Sequence, residues 1–180
     1  MNVGASSPDD YGDYFAWGET VPKDYYDWST YDWCNGSETT LTKYNNSSDY
    51  GRVDNKTQLD LADDAARANW GGSWRMPTDA EMTELREQCT WSWTIQNGGY
   101  GYKVTSKSNG NSIYLPAAGS RYESLLDPAG SYGYYWSSSL YMVSLPAEAH
   151  HLYFDYVNQC FVSSHERDYG LTIRPVKEAQ

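Results

Sequence analysis

All three histidines of the chain, His150, His151 and His165, lie close together near its C-terminal end, with Cys160 between them. Imidazole and thiolate are zinc ligands, so zinc is the first chemistry to weigh. Strand geometry argues against it. If residues 150–156 and 159–164 form a hairpin about Val157-Asn158, His151 and Cys160 share a face about four strand residues apart, about 13 Å at ~3.3 Å per residue. A tetrahedral zinc needs each donor within ~2.0–2.3 Å. On this hairpin His150 faces the other way, towards His165. Asp60, Asp63 and Asp64 offer oxygen ligands for calcium, but no Asp-x-Asp-x-Asp-Gly loop accompanies them. Carboxylates at a helix start have a simpler role, complementing the dipole. Nucleophilic catalysis has no foothold either. Serines are abundant, yet no Gly-x-Ser-x-Gly elbow, Walker loop or Rossmann glycine run occurs. The chain reads as non-enzymatic, with no metal and no cofactor.

The elements that would carry these residues follow from periodicity. Residues 1–56 have no sustained period and read as long loops pinned by aromatic rings, with one short strand near Tyr14–Trp17. Thr57 then caps a helix whose Leu59, Ala62, Ala66 and Trp70 recur at helical spacing until Gly71-Gly72. Thr78-Asp79-Ala80-Glu81 forms a capping box for a second helix, with Met82, Leu85 and Cys89 as its buried stripe. From Thr90 the period falls to two. Strands are predicted at Trp91–Ile95, Tyr102–Ser106, Ser112–Leu115, Tyr134–Ser138, His150–Tyr156, Gln159–Ser163 and Leu171–Val176. No repeat or linker interrupts this order, so residues 1–180 read as a single α+β domain. In the predicted hairpin Leu152, Phe154 and Phe161 point inward, while His151, Tyr153, Asp155, Cys160, Val162 and Ser164 point out.

Composition narrows the partners. With 24 acidic and 13 basic side chains the formal charge is −11, which repels phosphate backbones and anionic membranes. Nucleic acid is therefore not expected as a partner, and no apolar run reaches the ~20 residues needed to insert into a bilayer. Asp9, Asp10, Asp13 and Glu19 are unlike a signal peptide. Cysteines number three, which is no disulfide framework and permits at most one bridge. The 18 Tyr and 8 Trp against 3 Phe exclude a disordered chain and favour many ring-walled surfaces.

Several segments, taken in order, resemble the bacterial "major paralogous domain" proteins of the C-type-lectin-like superfamily, relatives of the formylglycine-generating enzymes. They are Asn2-Val3-Gly4-Ala5, residues 12–19 (Gly-Asp-Tyr-Phe-Ala-Trp-Gly-Glu), residues 70–78 (Trp-Gly-Gly-Ser-Trp-Arg-Met-Pro-Thr), residues 112–119 (Ser-Ile-Tyr-Leu-Pro-Ala-Ala-Gly), Tyr135-Trp136-Ser137-Ser138 and Arg174-Pro175-Val176. The resemblance covers nearly the whole chain, except for a strand the family carries before Asn2. It implies a C-type-lectin-like fold: two helices, a small mixed, mainly antiparallel sheet and long ordered loops. The Glu-Pro-Asn, Gln-Pro-Asp and Trp-Asn-Asp motifs of calcium-dependent sugar binding are absent. The paired late cysteines of the formylglycine generators are absent too, since Cys160 stands alone in the last third.

The chain is more similar to the variable proteins of diversity-generating retroelements, which display a diversified C-terminal region on this fold. Template adenines are replaced there, which excludes Met, Trp, Gln, Lys and Glu at variable positions, and between Ala149 and Leu171 only Gln159 and Glu166 belong to that set. Within about 140–171, scaffold-like residues such as Leu152, Phe154, Arg167 and Gly170 alternate with residues of arbitrary type. The latter are the expected ligand-binding set: Tyr141, His151, Tyr153, Asp155, Tyr156, Asn158, Cys160, Ser163, Ser164, His165, Asp168 and Tyr169. Tyr-rich polar surfaces supply contact area at low entropic cost. The implied function is receptor-like binding of a protein or cell-surface ligand from an extracellular or surface-displayed position. An invariant adhesin of the same fold is the alternative, and a formylglycine-type oxidase a more distant one. Trp70, Trp74, Arg75 and Arg174 are expected to be structural.

Overall fold

A computed structural model describes residues 1–142, 145–157 and 159–177. Among the described residues the chain is α+β, with two α-helices and several small antiparallel sheets. In chain order the elements are α1 (Ala65–Trp70), β1 (Trp74–Arg75), α2 (Asp79–Gln88), β2 (Cys89–Gln96), β3 (Gly99–Ser106), β4 (Ser112–Pro116), β5 (Arg121–Tyr122) and β6 (Leu125–Leu126). They are followed by β7 (Tyr132–Met142), β8 (Leu145–Asp155), β9 (Cys160–Glu166) and β10 (Val176–Lys177). Strands β2-β3-β4 and β7-β8-β9 form two antiparallel meanders, and β1 pairs with β10 as β5 does with β6. Among the described residues no helix is long and apolar enough to cross a membrane.

The second helix starts as its sequence predicts. Thr78 Oγ1 accepts the Glu81 N–H while the Glu81 carboxylate accepts the Thr78 N–H, and Arg75 grips both Glu81 oxygens at 2.7 Å. That fork holds the Glu81 carboxyl down at about 2. The first helix begins later than expected. Asp64, not Thr57, caps it, and its second oxygen accepts the Met76 N–H at 2.8 Å. Residues 57–59 are drawn elsewhere: Leu59 N–H bonds Ser138 O and Leu140 N–H bonds Thr57 O, so this stretch lines β7 as an extended segment. Only α1 remains helical beyond a 3₁₀ turn at Leu61–Asp63. Tertiary pairing has overridden local periodicity. The strand expected near Tyr14–Trp17 reduces to one bridge, Phe15 with Leu171, and Leu171–Val176 is a strand only at its last residue, which opens β10.

The long irregular loops explain why tyrosine and tryptophan replace phenylalanine. Loop carbonyls lack ladder partners, and a buried one needs a donor. A tyrosine or tryptophan fills the core with its ring and supplies that donor at its tip. Tyr14 Oη donates to Ala118 O, Tyr26 Oη to Tyr14 O and Tyr31 Oη to Trp17 O, each at 2.6 Å. Trp17 and Trp136 donate their indole N–H to Ser137 O and Phe15 O at 2.8 Å. All five rings are buried. Arg174 works similarly from a half-buried position, tying Asn2 Oδ1 to Tyr114 O, which makes it a fastener between the N-terminus and β4.

Register in the last meander decides which side chains share a face. Tyr153 pairs with Phe161, Phe154 with Cys160 and Leu152 with Val162. This differs by one residue from the hairpin the sequence suggests, and a one-residue slip turns every side chain over. The cause is Asp155. Its Oδ1 accepts the N–H groups of Val157 and Gln159 at 3.0 and 2.9 Å, and its own N–H bonds Gln159 O. The loop is thereby one residue longer than Val157-Asn158. Phe161 is consequently exposed, not inward, while Cys160 and Val162 pack on the core with Leu152 and Phe154.

Gly133 tests this packing. It lies opposite Phe154 in the β7–β8 pair, and a Cβ there would meet Phe154 Cζ at 2.1 Å. Gly133→Ala should lower unfolding free energy by about 1–3 kcal/mol, the usual cost of overpacking, read from urea titration. An unchanged midpoint would mean the ring does not rest on the glycine.

Candidate functional site

One face of the β7-β8-β9 meander carries a run of aromatic rings. Phe161 stands 4.8 Å from Tyr153, and Tyr153 stands 5.2 Å from Tyr134 (centroid distances). Tyr134 leads to His165 at 6.0 Å, His165 to Tyr169 at 4.2 Å, and Tyr169 stacks on Tyr122 at 4.6 Å. Tyr132 and Tyr156 flank this run at 6.2 and 6.4 Å from their neighbours. Period-two alternation along the strands puts Tyr132, Tyr134, Tyr153, Phe161, Ser163 and His165 on the same side. Most of these rings are half-buried, with Tyr156, Phe161 and Tyr122 exposed. The backbone beneath is rigid, because the opposite face packs into the core that holds Tyr135, Leu152 and Phe154.

The expected ligand-binding residues do not all share this face. Tyr153, Tyr156, Ser163, His165 and Tyr169 belong to the ring face or its turn. His151 also points to this side but is buried at 3% exposure beneath Tyr134 and His165, so it supports rather than contacts. Burial and the nearby His165 and His150 push its imidazole down to about 3, which keeps it neutral. It faces His165; His150 does not, and instead packs edge-on to Tyr141 with Asp79 nearby. Tyr141, Cys160 and Ser164 therefore lie on the opposite face, apart from the rest. Ser164 Oγ donates to Glu148, and the Cys160 thiol, packed against the core, is pushed up to about 12 by burial. Asp155 is buried and closes the hairpin, so its expected outward place is corrected to a structural one. Asn158 lies outside the described residues.

Asp168 is different from all of these. It is fully buried, yet neither carboxylate oxygen has a hydrogen-bond partner. Burial, then the neighbouring Glu166, pushes its carboxyl up to about 7. Burying an unpaired carboxylate is costly, and most buried polar groups are satisfied. Asp168 lines a hollow of about 370 Å³ together with Glu38, Glu166, Trp28 and Tyr122. On the far side of Tyr122 a second hollow is lined by Leu125, Leu126 and Tyr169, and both leucines are exposed. Tyr122, Tyr132, Tyr134 and Phe161 were not among the sequence candidates. The alternation of Tyr132, Tyr134 and Trp136 was the available signal; nothing local marked Tyr122.

The three cysteines are free thiols, and no group of three His, Cys, Asp or Glu among the described residues is placed to hold a metal ion. The arrangement offers contact area, hydrogen-bonding hydroxyls and negative charge. Comparison of the chain with protein-family models, with curated proteins and with solved structures found no match.

Proposed function

We propose that the chain is a non-enzymatic ligand-binding protein, with a C-type-lectin-like scaffold displaying a C-terminal recognition surface. The surface is of the kind diversified in the variable proteins of retroelements. The observation that carries this is the ring face itself: Tyr153, Tyr134, His165, Tyr169 and Tyr122 in continuous contact, half-exposed, on strands whose other side is core. Large rigid aromatics over a fixed backbone are what recognition surfaces use as anchors. The buried, high-pKa Cys160 thiol speaks against nucleophilic use of that residue. The ligand is a protein or other cell-surface feature, met outside the cell or on a surface-displayed particle.

Alanine at Tyr153 and Tyr156 tests the site. Against an array of surface proteins from the source community, the double variant should bind each partner of the parent protein at least about tenfold more weakly, at an unchanged melting temperature. Retained affinity for every partner would place the site elsewhere.

A further inference from the structure

We propose that the hollow between Trp28, Tyr122, Glu38, Glu166 and Asp168 receives a basic side chain, an arginine before a lysine, projecting from a protein ligand. The proposal rests on the binding reading above and names the chemistry that this surface selects. Acidic residues alone would not carry it. The independent observation is Asp168, fully buried with neither carboxylate oxygen hydrogen-bonded to another residue, lining the same hollow. A folded chain does not leave a carboxylate so without a reason, and an incoming cation supplies the missing donors.

The walls favour an organic cation over a metal ion. Trp28 and Tyr122 present aromatic surface, and a cation against a ring face is stabilised by its quadrupole. The hollow, about 370 Å³, is far roomier than a bare ion requires, and these carboxylates are not grouped as metal ligands. A planar guanidinium can stack on a ring while its N–H fork serves two carboxylates, which an ammonium cannot do. Opposing cations are few here: Lys23 is the basic group that bears on Asp168, and it is already bound to Glu19 at 2.9 Å. Glu38 repels Glu166, which in turn repels Asp168, and a bound cation relieves that repulsion. Beyond Tyr122, the exposed Leu125 and Leu126 beside Tyr169 fit an apolar residue next to the basic one.

Titration of the isotope-labelled full chain with N-acetyl-arginine amide provides the test, with the neutral isostere N-acetyl-citrulline amide and the lysine analogue alongside. Saturable shifts at the Trp28 indole N–H and at the amides of residues 166–170 are expected with the arginine compound. Lysine should bind several-fold more weakly and citrulline at least tenfold more weakly. Asp168→Asn and Glu166→Gln should each reduce the arginine affinity at least fivefold. Equal response to citrulline, or no shift at Trp28, overturns the proposal. Arginine binding in a chain whose codons prove invariant across its population would sink the diversified-display reading and leave the pocket standing. Variable codons without arginine binding would sink the pocket alone.

Discussion

Replacing Arg167 by alanine should remove at least about 4 kcal/mol of stability, enough to unfold much of the population of an ordinary domain. The side chain is fully buried and, among the described residues, forms no salt bridge to a carboxylate. Instead its guanidinium donates to Pro146 O at 2.8 Å, Tyr31 Oη at 2.9 Å, and Tyr44 O and Lys43 O at 3.1 Å, with Trp17 4.9 Å beneath. Four acceptors, from two irregular segments and the start of β8, thus converge on one fork. Each acceptor left dry and unpaired costs ~1–3 kcal/mol, and the vacated volume adds a cavity term. Arg167→Lys keeps the charge but cannot reach several carbonyls at once, so it should recover less than half of the loss. Urea titration of both variants reads this. A loss under about 1 kcal/mol in the alanine variant would show that the loops hold without the fork.

Asp168→Asn should act in the opposite direction and stabilise the protein at neutral pH. In the folded chain burial, Glu166 and Asp27 raise the carboxyl to about 7 against smaller opposing effects of its own backbone N–H and of Lys23, while the unfolded chain has the ordinary value of 3.8. Below pH 4 both states are protonated and the residue is neutral in each. Between pH 4 and 7 the unfolded chain ionises and the folded chain does not, so wild-type stability falls as pH rises. At ~1.4 kcal/mol per pH unit the cost reaches about 2–4 kcal/mol at pH 7. Asparagine has no such cost. Its advantage in melting temperature should be absent at pH 4 and full at pH 7. Equal differences at both pH values would mean the carboxyl is satisfied in the fold. A residue whose removal stabilises the fold but weakens binding is kept for binding.

The sequence made most of the strand order legible, because the two meanders have short loops and clear alternation. The start of the second helix was legible to the residue, since its capping box is a local signal, whereas Cys89, expected on its stripe, opens β2. Thr57–Leu59 misled, because its helical spacing was genuine but its backbone partner lay on β7, far away in sequence. The C-terminal hairpin failed by one residue for a similar reason. Asp155 captures two N–H groups across the turn, and composition gave no sign of that. The slip reassigned Phe161 and Cys160 together and hid Phe161 as a member of the ring face. Asp168 and Tyr169 were named from texture alone, whereas Trp28 and Glu38, which complete the hollow, come from the loops of the first 56 residues.

Sequencing the codons for Leu140–Leu171 across the source population tests the display function most directly. Substitutions should concentrate at Tyr153, Tyr156, Ser163, His165, Asp168 and Tyr169, whose side chains form or border the recognition surface. Leu152, Phe154 and Arg167 should stay fixed because they are core, Asp155 because it sets the register, and Gly170 because a Cβ would meet the Tyr26 ring at 2.7 Å. Codons uniform across the region, or substitutions spread equally over buried and surface positions, would contradict a diversified recognition surface.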